Sequence, residues 1–277
     1  KLNRKLNLDK PIRFTEKIQW YKLNYRLPIL KQCVDKYLVR DYVKLKGLDH
    51  ILNNLYGVYS DYKDIKVNEL PNRFVIKLTN GGGGNNIIFC DDRYNFDLQS
   101  LEMTFKSWLK IKNKSGGREW AYYDLKPKLI IEEYLVDEVN PKEGIKDYKF
   151  FCFNGEVKYI VVDIDRYTKH KRNFYDVNWN YLDVSSDCPN SGDVLAKPEG
   201  LSEKKEVATL LSEYFPFVRV DLYYVNKKVI FGELTFYPWS GYVEFKPDKF
   251  DFLLGEEFNI ESINIKKETN YELSSKK

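Results

Sequence analysis

The sequence predicts an α+β fold, with a small sheet carrying a glycine-rich loop followed by a larger antiparallel sheet with helices on one side. Three observations predict it. Early in the chain apolar residues recur at helical spacing. Two short apolar runs then flank the four consecutive glycines of PNRFVIKLTNGGGGNNIIFCDD, residues 71–92. Further on, DYKFFCFNGEVKYIVVDID and FPFVRVDLYYVNKKVIFGELTFYP each have the pattern of a hairpin.

Composition bounds the rest. With 277 residues, 43% hydrophobic and 31% charged, the chain can bury a real core as one large domain or two lobes. A net charge of +4 is small beside 45 basic and 41 acidic side chains, so no whole-chain footprint for nucleic acid exists and any basic site is local. Cys33, Cys90, Cys152 and Cys188 form no C-x-x-C pair and there are two histidines, which argues against a zinc site or a disulfide framework. Reduced thiols, no signal peptide and no long apolar run predict a cytoplasmic protein, at most at the inner face of the membrane and without stable insertion in it.

In chain order, a helix is expected over 15–25, where a threonine can cap, and another over 33–46, where Val34, Leu38, Tyr42 and Leu45 recur. Strands at 73–79 and 87–90 flank the glycines, and a helix at 98–111 puts Leu98, Leu101, Phe105, Trp108 and Leu109 on one face. After NKSGGREW, expected to be a mobile loop, PKLIIEEYL has the short β-branched run of a buried strand. Asn154-Gly155 marks the first hairpin turn. A helix at 203–214, with Val207, Leu210, Leu211 and Tyr214 on one face, leads into the second hairpin, and the polar tail is expected to be disordered. The division expected is a helical segment at 1–32, a glycine-loop lobe at 33–132, a second lobe at 133–265 and the tail at 266–277.

The glycine loop is not a P-loop, because Asn85 and Asn86 lead into a strand where Gly-Lys-Ser/Thr and a helix are required. Neither spacing nor the following element fits a dinucleotide fingerprint. A strand-loop-strand flap remains, whose backbone N–H groups can fold over phosphates while Lys77 supplies a point charge. The alternative is a plain glycine hairpin with an exposed lysine.

In the second hairpin, alternation puts Arg219 and Asp221 on one face and Val218, Val220 and Leu222 on the other, while Glu233 and Thr235 share a face of the next strand. A three-residue loop at 226–228 sets Asp221 opposite Glu233, roughly 5 Å apart, where a divalent cation with oxygen ligands would relieve their repulsion. The alternative is a solvated face with an Arg-Glu surface pair. In DRYTKHKRNFYD, residues Arg166, Lys169, His170, Lys171 and Arg172 form either a receptor for an anion or a solvated basic turn.

Taken together, DKYLVRDYVK, the strand lysine with its glycine flap, IIEEYL, and RVDLY followed by GELT resemble the ATP-grasp superfamily. FTEKIQWYKLN, DYKFFCFNGE, HKRNFYD and FGELTFYP resemble its TupA-like branch, described as acting in teichuronopeptide and surface-polysaccharide biosynthesis. The resemblance spans roughly residues 12–255. It implies that Lys36, Lys77 and Lys149 belong to the ATP-binding set, that Gly81, Gly82, Gly83 and Gly84 close over the phosphates, and that Glu133, Tyr134 and Leu135 form an adenine hinge through their backbone. It further implies a magnesium site at Asp221 and Glu233, with Thr235 where most such enzymes have asparagine, and catalytic roles for Arg219, Lys77 and Arg172. A mostly helical stretch replaces the usual Rossmann-like N-terminal domain.

The implied chemistry is ligation, in which a carboxylate attacks the γ-phosphate of ATP and an amine captures the acyl phosphate. By family analogy the carboxylate belongs to a uronic acid or amino acid, and the product is an amide-modified surface sugar. A rival from another class is a metal-dependent glycosyltransferase using Asp163 and Asp165 of VVDID, although such a fold requires a parallel sheet. A carbohydrate-binding module using the 22 tyrosines and five tryptophans leaves the lysine, flap and carboxylates unexplained.

Overall fold

A computed structural model of the chain describes residue 2 and residues 4–111, 117–139, 145–165 and 169–263. The expected disordered tail at 266–277, residues 112–116 within the expected mobile loop and beside it, and Arg166 of the basic stretch lie outside the described residues.

Helix α1 (Phe14–Asn24) is entered one residue earlier than expected. Its start is set by Glu16, whose carboxylate accepts the N–H groups of Ile12 at 3.1 Å and Arg13 at 3.3 Å. Thr15 is not the cap; its N–H and hydroxyl both donate to Asp251, at 2.9 and 2.7 Å. The single helix expected over 33–46 is two, α2 (Pro28–Val34) and α3 (Val39–Leu45). Asp35 breaks it by accepting the N–H groups of Tyr37 and Leu38 at 2.9 and 3.0 Å, an alternative to helical bonding that aspartate offers readily. The break shifts the buried stripe to Val34, Val39, Tyr42 and Val43, and Leu38 and Leu45 are exposed.

The smaller sheet is antiparallel and four-stranded, in the order β1 (Leu55–Tyr59), β4 (Leu129–Glu133), β2 (Phe74–Leu78), β3 (Ile87–Cys90). Strand β1, LYGVY, lies where the sequence predicts no element. Alternation turns Phe74, Ile76, Leu78, Leu129 and Ile131 toward Phe105 and Trp108 of α4 (Glu102–Leu109), and these form one apolar cluster.

The larger sheet is antiparallel and six-stranded, in the order β10 (Lys228–Thr235), β9 (Phe217–Val225), β5 (Asp147–Phe153), β6 (Glu156–Ile164), β7 (Lys171–Asp176), β8 (Tyr181–Leu182). Asn154 and Gly155 make the β5–β6 turn with φ of 50° and 81°, the left-handed pair of a type I′ turn. Helices stand on both faces, not one. Helix α5 (Leu201–Ser212) lies where the Cys152 thiol reaches Ala208 O at 3.8 Å. On the opposite face Phe14 of α1 meets Phe217 at 5.0 Å and Phe151 at 6.1 Å between ring centroids. Helix α6 (Lys249–Glu257) backs α1 so closely that a Cβ on Gly255 would lie 2.1 Å from Ile12 O. The buried stripe of α5 is Leu201, Lys204, Val207, Ala208 and Leu211, leaving Leu210 and Tyr214 exposed, against expectation.

Lys204 on that stripe is fully buried. Its ammonium donates to Glu199 O at 2.7 Å and lies 4.4 and 4.3 Å from the ring centres of Tyr148 and Tyr224. Burial pulls its pKa down to about 8, from the ordinary 10.5. Between those values the unfolded chain binds more protons than the folded one, so stability rises with pH there. Urea unfolding of the wild type and Lys204→Met, below and through this window, is expected to show the wild type gaining relative to the variant as pH rises. A constant difference would refute the lowered value.

Candidate active site

The cleft lies where the two sheets approach. Its roof is the β2–β3 hairpin, in which alternation that buries Ile76 and Leu78 turns Lys77 into the cleft. Gly83 and Gly84 adopt φ of 67° and 78°, which glycine takes without steric cost, and all four glycines line the cleft. The helix break at Asp35 places Lys36 beside them: its N–H donates to Thr79 O at 2.8 Å and its ammonium to Gly81 O. The same ammonium is 3.9 Å from Glu233 of the floor, so Lys36 spans roof and floor. Burial lowers its pKa, opposed by Glu233, while neighbouring Lys77 lowers it further.

Lys77 is not an isolated cation. Its ammonium is 2.9 Å from Glu132 of β4, a buried carboxylate that also takes Arg40 at 3.3 Å. Arg40 is held by Asn53 O at 2.7 Å. Glu132 and Arg40 escaped the sequence reading, although alternation in LIIEE separates Glu132 from its neighbour Glu133. Glu133 points elsewhere: its carboxylate takes Asn54 Nδ2 at 2.9 Å and its backbone N–H donates to Asn54 O at 2.9 Å. The Tyr134 ring lies against Phe89 at 5.6 Å and under Arg73 at 4.1 Å. Of these three residues only Leu135 lines the cleft.

The floor comes from β9 and β10. The expected three-residue loop is wrong, because Val225 pairs with Lys228 across a two-residue turn at Asn226 and Lys227, with φ of 51° and 61°. That register alone would send the two carboxylates to opposite faces. A β-bulge at Gly232 shifts it between Phe231 and Glu233, so Asp221 faces Glu233 and Arg219 faces Thr235 after all. The Arg219 guanidinium donates to both Asp221 oxygens at 2.7 Å and to Glu233 and Thr235 at 3.1 Å. These carboxylates hold its pKa above the ordinary value despite burial.

From Asp221 a row of alternating charge runs across the sheet. Lys149 donates to Asp221 at 2.7 Å and Asp147 at 2.5 Å and lies 3.7 Å from Asp163. It is almost fully buried, and burial is outweighed by Asp147 and Asp221, which raise its pKa. Asp221, in turn, is pushed up by burial and by Asp147 and Glu233, against Arg219 and Lys149. Asp163 takes Arg172 Nε at 2.6 Å and lies 3.1 Å from His170 Nε2, and Lys149 with Arg172 holds its carboxyl well below the usual range despite burial. Arg172 therefore sits at the far end of the row, outside the cleft lining, and the structure does not bring it to Lys77. The glycosyltransferase alternative fails here: Asp163 is buried and sealed by Arg172, Asp165 lies past the end of β6, and both sheets are antiparallel. Lys171 of the basic stretch donates to Ser191 O at 3.2 Å.

Among solved structures the chain is similar to D-alanine–D-alanine ligase from Bacillus anthracis, at 16% identity over 74% of this chain and 57% of that one, with a TM-score of 0.44. Phosphoribosylamine–glycine ligase from Thermotoga maritima matches at 11% identity over 74% and 48%, with a TM-score of 0.46. N5-carboxyaminoimidazole synthetase from Staphylococcus aureus, solved with ADP, matches at 12% identity over 80% and 50%, with a TM-score of 0.43. The chain thus spans about half the length of these solved relatives. No match was found among curated proteins. Among the described residues no helix is long and apolar enough to cross a membrane. A family model described as TupA-like ATPgrasp matches residues 16–259, and the chain belongs to that family.

Proposed function

We propose that the chain is an ATP- and magnesium-dependent carboxylate–amine ligase that modifies a sugar or uronic acid in surface-polysaccharide biosynthesis. The observation that carries the ligase reading is the convergence, in one cleft, of Lys36, Lys77 and four glycines over the opposed Asp221 and Glu233. The polysaccharide context rests on the branch of the family alone.

In this reading Lys36 and Lys77 hold the ATP phosphates beneath the glycine flap, and Leu135 borders the adenine. A substrate carboxylate oxygen bonds to the γ-phosphorus as the bond to ADP breaks. The amine then attacks the acyl carbon, giving amide and inorganic phosphate. Arg219, fixed by Asp221, would stabilise the negative charge that accumulates. Asp221, Glu233 and Thr235 form a set of hard oxygen donors that suits magnesium, which typically takes one or two carboxylates and completes its shell with phosphate and water. Arg219 and Lys149 engage both Asp221 oxygens, and Arg219 also engages Glu233 and Thr235, so magnesium would bind in exchange for some of these bonds. Bound magnesium would neutralise phosphate charge.

Incubation with ATP, magnesium and candidate acids and amines is expected to sustain ADP release over many turnovers only when both substrates are present. ATP with magnesium at a hundredfold its dissociation constant should raise stability by about 2.7 kcal/mol. A thermal shift with a UDP-sugar and manganese, and none with ATP, would overturn the reading.

A further inference from the structure

We propose that Arg172, Ser186 and Trp239 form a recognition site for a substrate carboxylate held outside the cleft and distinct from the one that reacts with ATP, a place that the side chain of Asp187 fills in the free protein. The proposal deepens the ligase reading and rests on it.

Asp187 Oδ1 accepts from the Arg172 guanidinium, from Ser186 Oγ at 2.9 Å and from the Trp239 indole N–H at 2.9 Å. A cation, a hydroxyl and an indole N–H thus converge on one carboxylate oxygen, the donor set that an external carboxylate would require. The arginine is built in: its side chain is 7% exposed, whereas that of Asp187 is 49% exposed. Asp163 holds the other edge of the guanidinium through Nε at 2.6 Å and Nη2 at 3.2 Å. Removing Asp187 from Nη1 therefore leaves Arg172 oriented and charge-paired. Asp187 lies on the connection between β8 and α5, pinned just before it by the reciprocal bonds of Ser185 and Lys246 at 2.8 and 2.9 Å. With half of its side chain already in solvent, Asp187 vacates the site by rotating outward in this proposal.

Trp239 is aimed by an unusual backbone. Trp239, Ser240 and Gly241 have φ of 50°, 54° and 67°, so three successive residues are left-handed and two of them are not glycine. The two non-glycine residues are strained there, and such a conformation persists where its surroundings over-determine it. Here α1 does so: buried Lys22 donates to Ser240 O at 2.8 Å and Gly117 O at 2.5 Å, and Gln19 donates to Ser240 O at 2.9 Å. The result sets the indole 5.2 Å from the Arg172 guanidinium carbon, with Nε1 on Asp187. Asp163 and Lys149 connect this site to Asp221 through contacts of 3.7 and 2.7 Å, on the sheet face that carries Arg219.

Calorimetric titration of the full chain with D-glucuronate tests the site, with D-glucose and inorganic phosphate as comparisons. A tethered competitor weakens apparent affinity by the fraction of time the site is open, so a site open about one-tenth of the time gains about tenfold when Asp187→Ala removes the competitor. That gain is expected for D-glucuronate only, and Trp239→Phe in the Asp187→Ala background is expected to diminish it. No gain, equal binding of D-glucose, or equal binding of phosphate overturns the proposal and leaves the Arg172–Asp187 contact a structural ion pair. The ATP-induced thermal shift of the same wild-type preparation reads the ligase proposal separately. Its absence counts against that reading, whereas a failed glucuronate titration with the shift present counts against this site alone.

Discussion

Gly232→Val is expected to lower ATP-dependent turnover by about 100-fold, because it removes the bulge that opposes the two floor carboxylates. An ideal Cβ at Gly232 would lie 2.9 Å from Asp221 O and 3.3 Å from Asp221 C, backbone atoms that cannot swing aside. The strand then either moves away from β9 or gives up the extra residue. In the second case residue 221 faces 232, and Glu233 turns to the other face. Overpacking of this kind costs about 1–3 kcal/mol, so the variant should remain folded but less stable. Activity and denaturant unfolding measured together decide the matter: full turnover in a folded variant would show that Asp221 and Glu233 need not face one another.

Lys77→Ala should reduce turnover by about 10²–10³-fold, the usual effect of deleting one donor aimed at developing charge. The sequence alone suggests that this variant would leave the unliganded protein's stability almost unchanged, because a strand lysine facing a wet cleft packs little. Glu132 alters that expectation. Its carboxylate is 8% exposed and loses the partner at 2.9 Å, retaining Arg40 at 3.3 Å. Breaking a buried pair on one side costs about 3–5 kcal/mol, and the remaining arginine brings the expected loss below that, to about 1–3 kcal/mol. Adding Glu132→Gln should restore much of the stability without restoring activity. If the double variant recovers turnover, Lys77 serves only to neutralise Glu132 and does not contact phosphate.

The parts of the site legible beforehand are those that depend on period and local chemistry. Alternation is enough to turn Lys77 away from Ile76 and Leu78, and to put Arg219 with Asp221 and Glu233 with Thr235, because adjacent side chains of a strand must face opposite ways. Asn154-Gly155 likewise names its own turn, since the left-handed pair it adopts is one these residues tolerate. Leu98, Leu101, Phe105, Trp108 and Leu109 share a cluster for the same reason of spacing.

Tertiary structure decided what depends on a partner far away in the chain. Lys36 reaches the glycines because Asp35 breaks a helix that spacing makes continuous, and Thr79 O anchors the break. Glu132 acquires its role from Lys77 and Arg40, each remote in sequence. Arg172 is drawn to Asp163, Asp187 and Trp239 and away from the cleft lining. The opposition of Asp221 and Glu233 was expected from a three-residue loop and arises instead from a two-residue turn with a bulge at Gly232. Turn length and bulge each shift register by one residue and cancel, so a pattern of period two records their sum while only the packed sheet shows how it is divided.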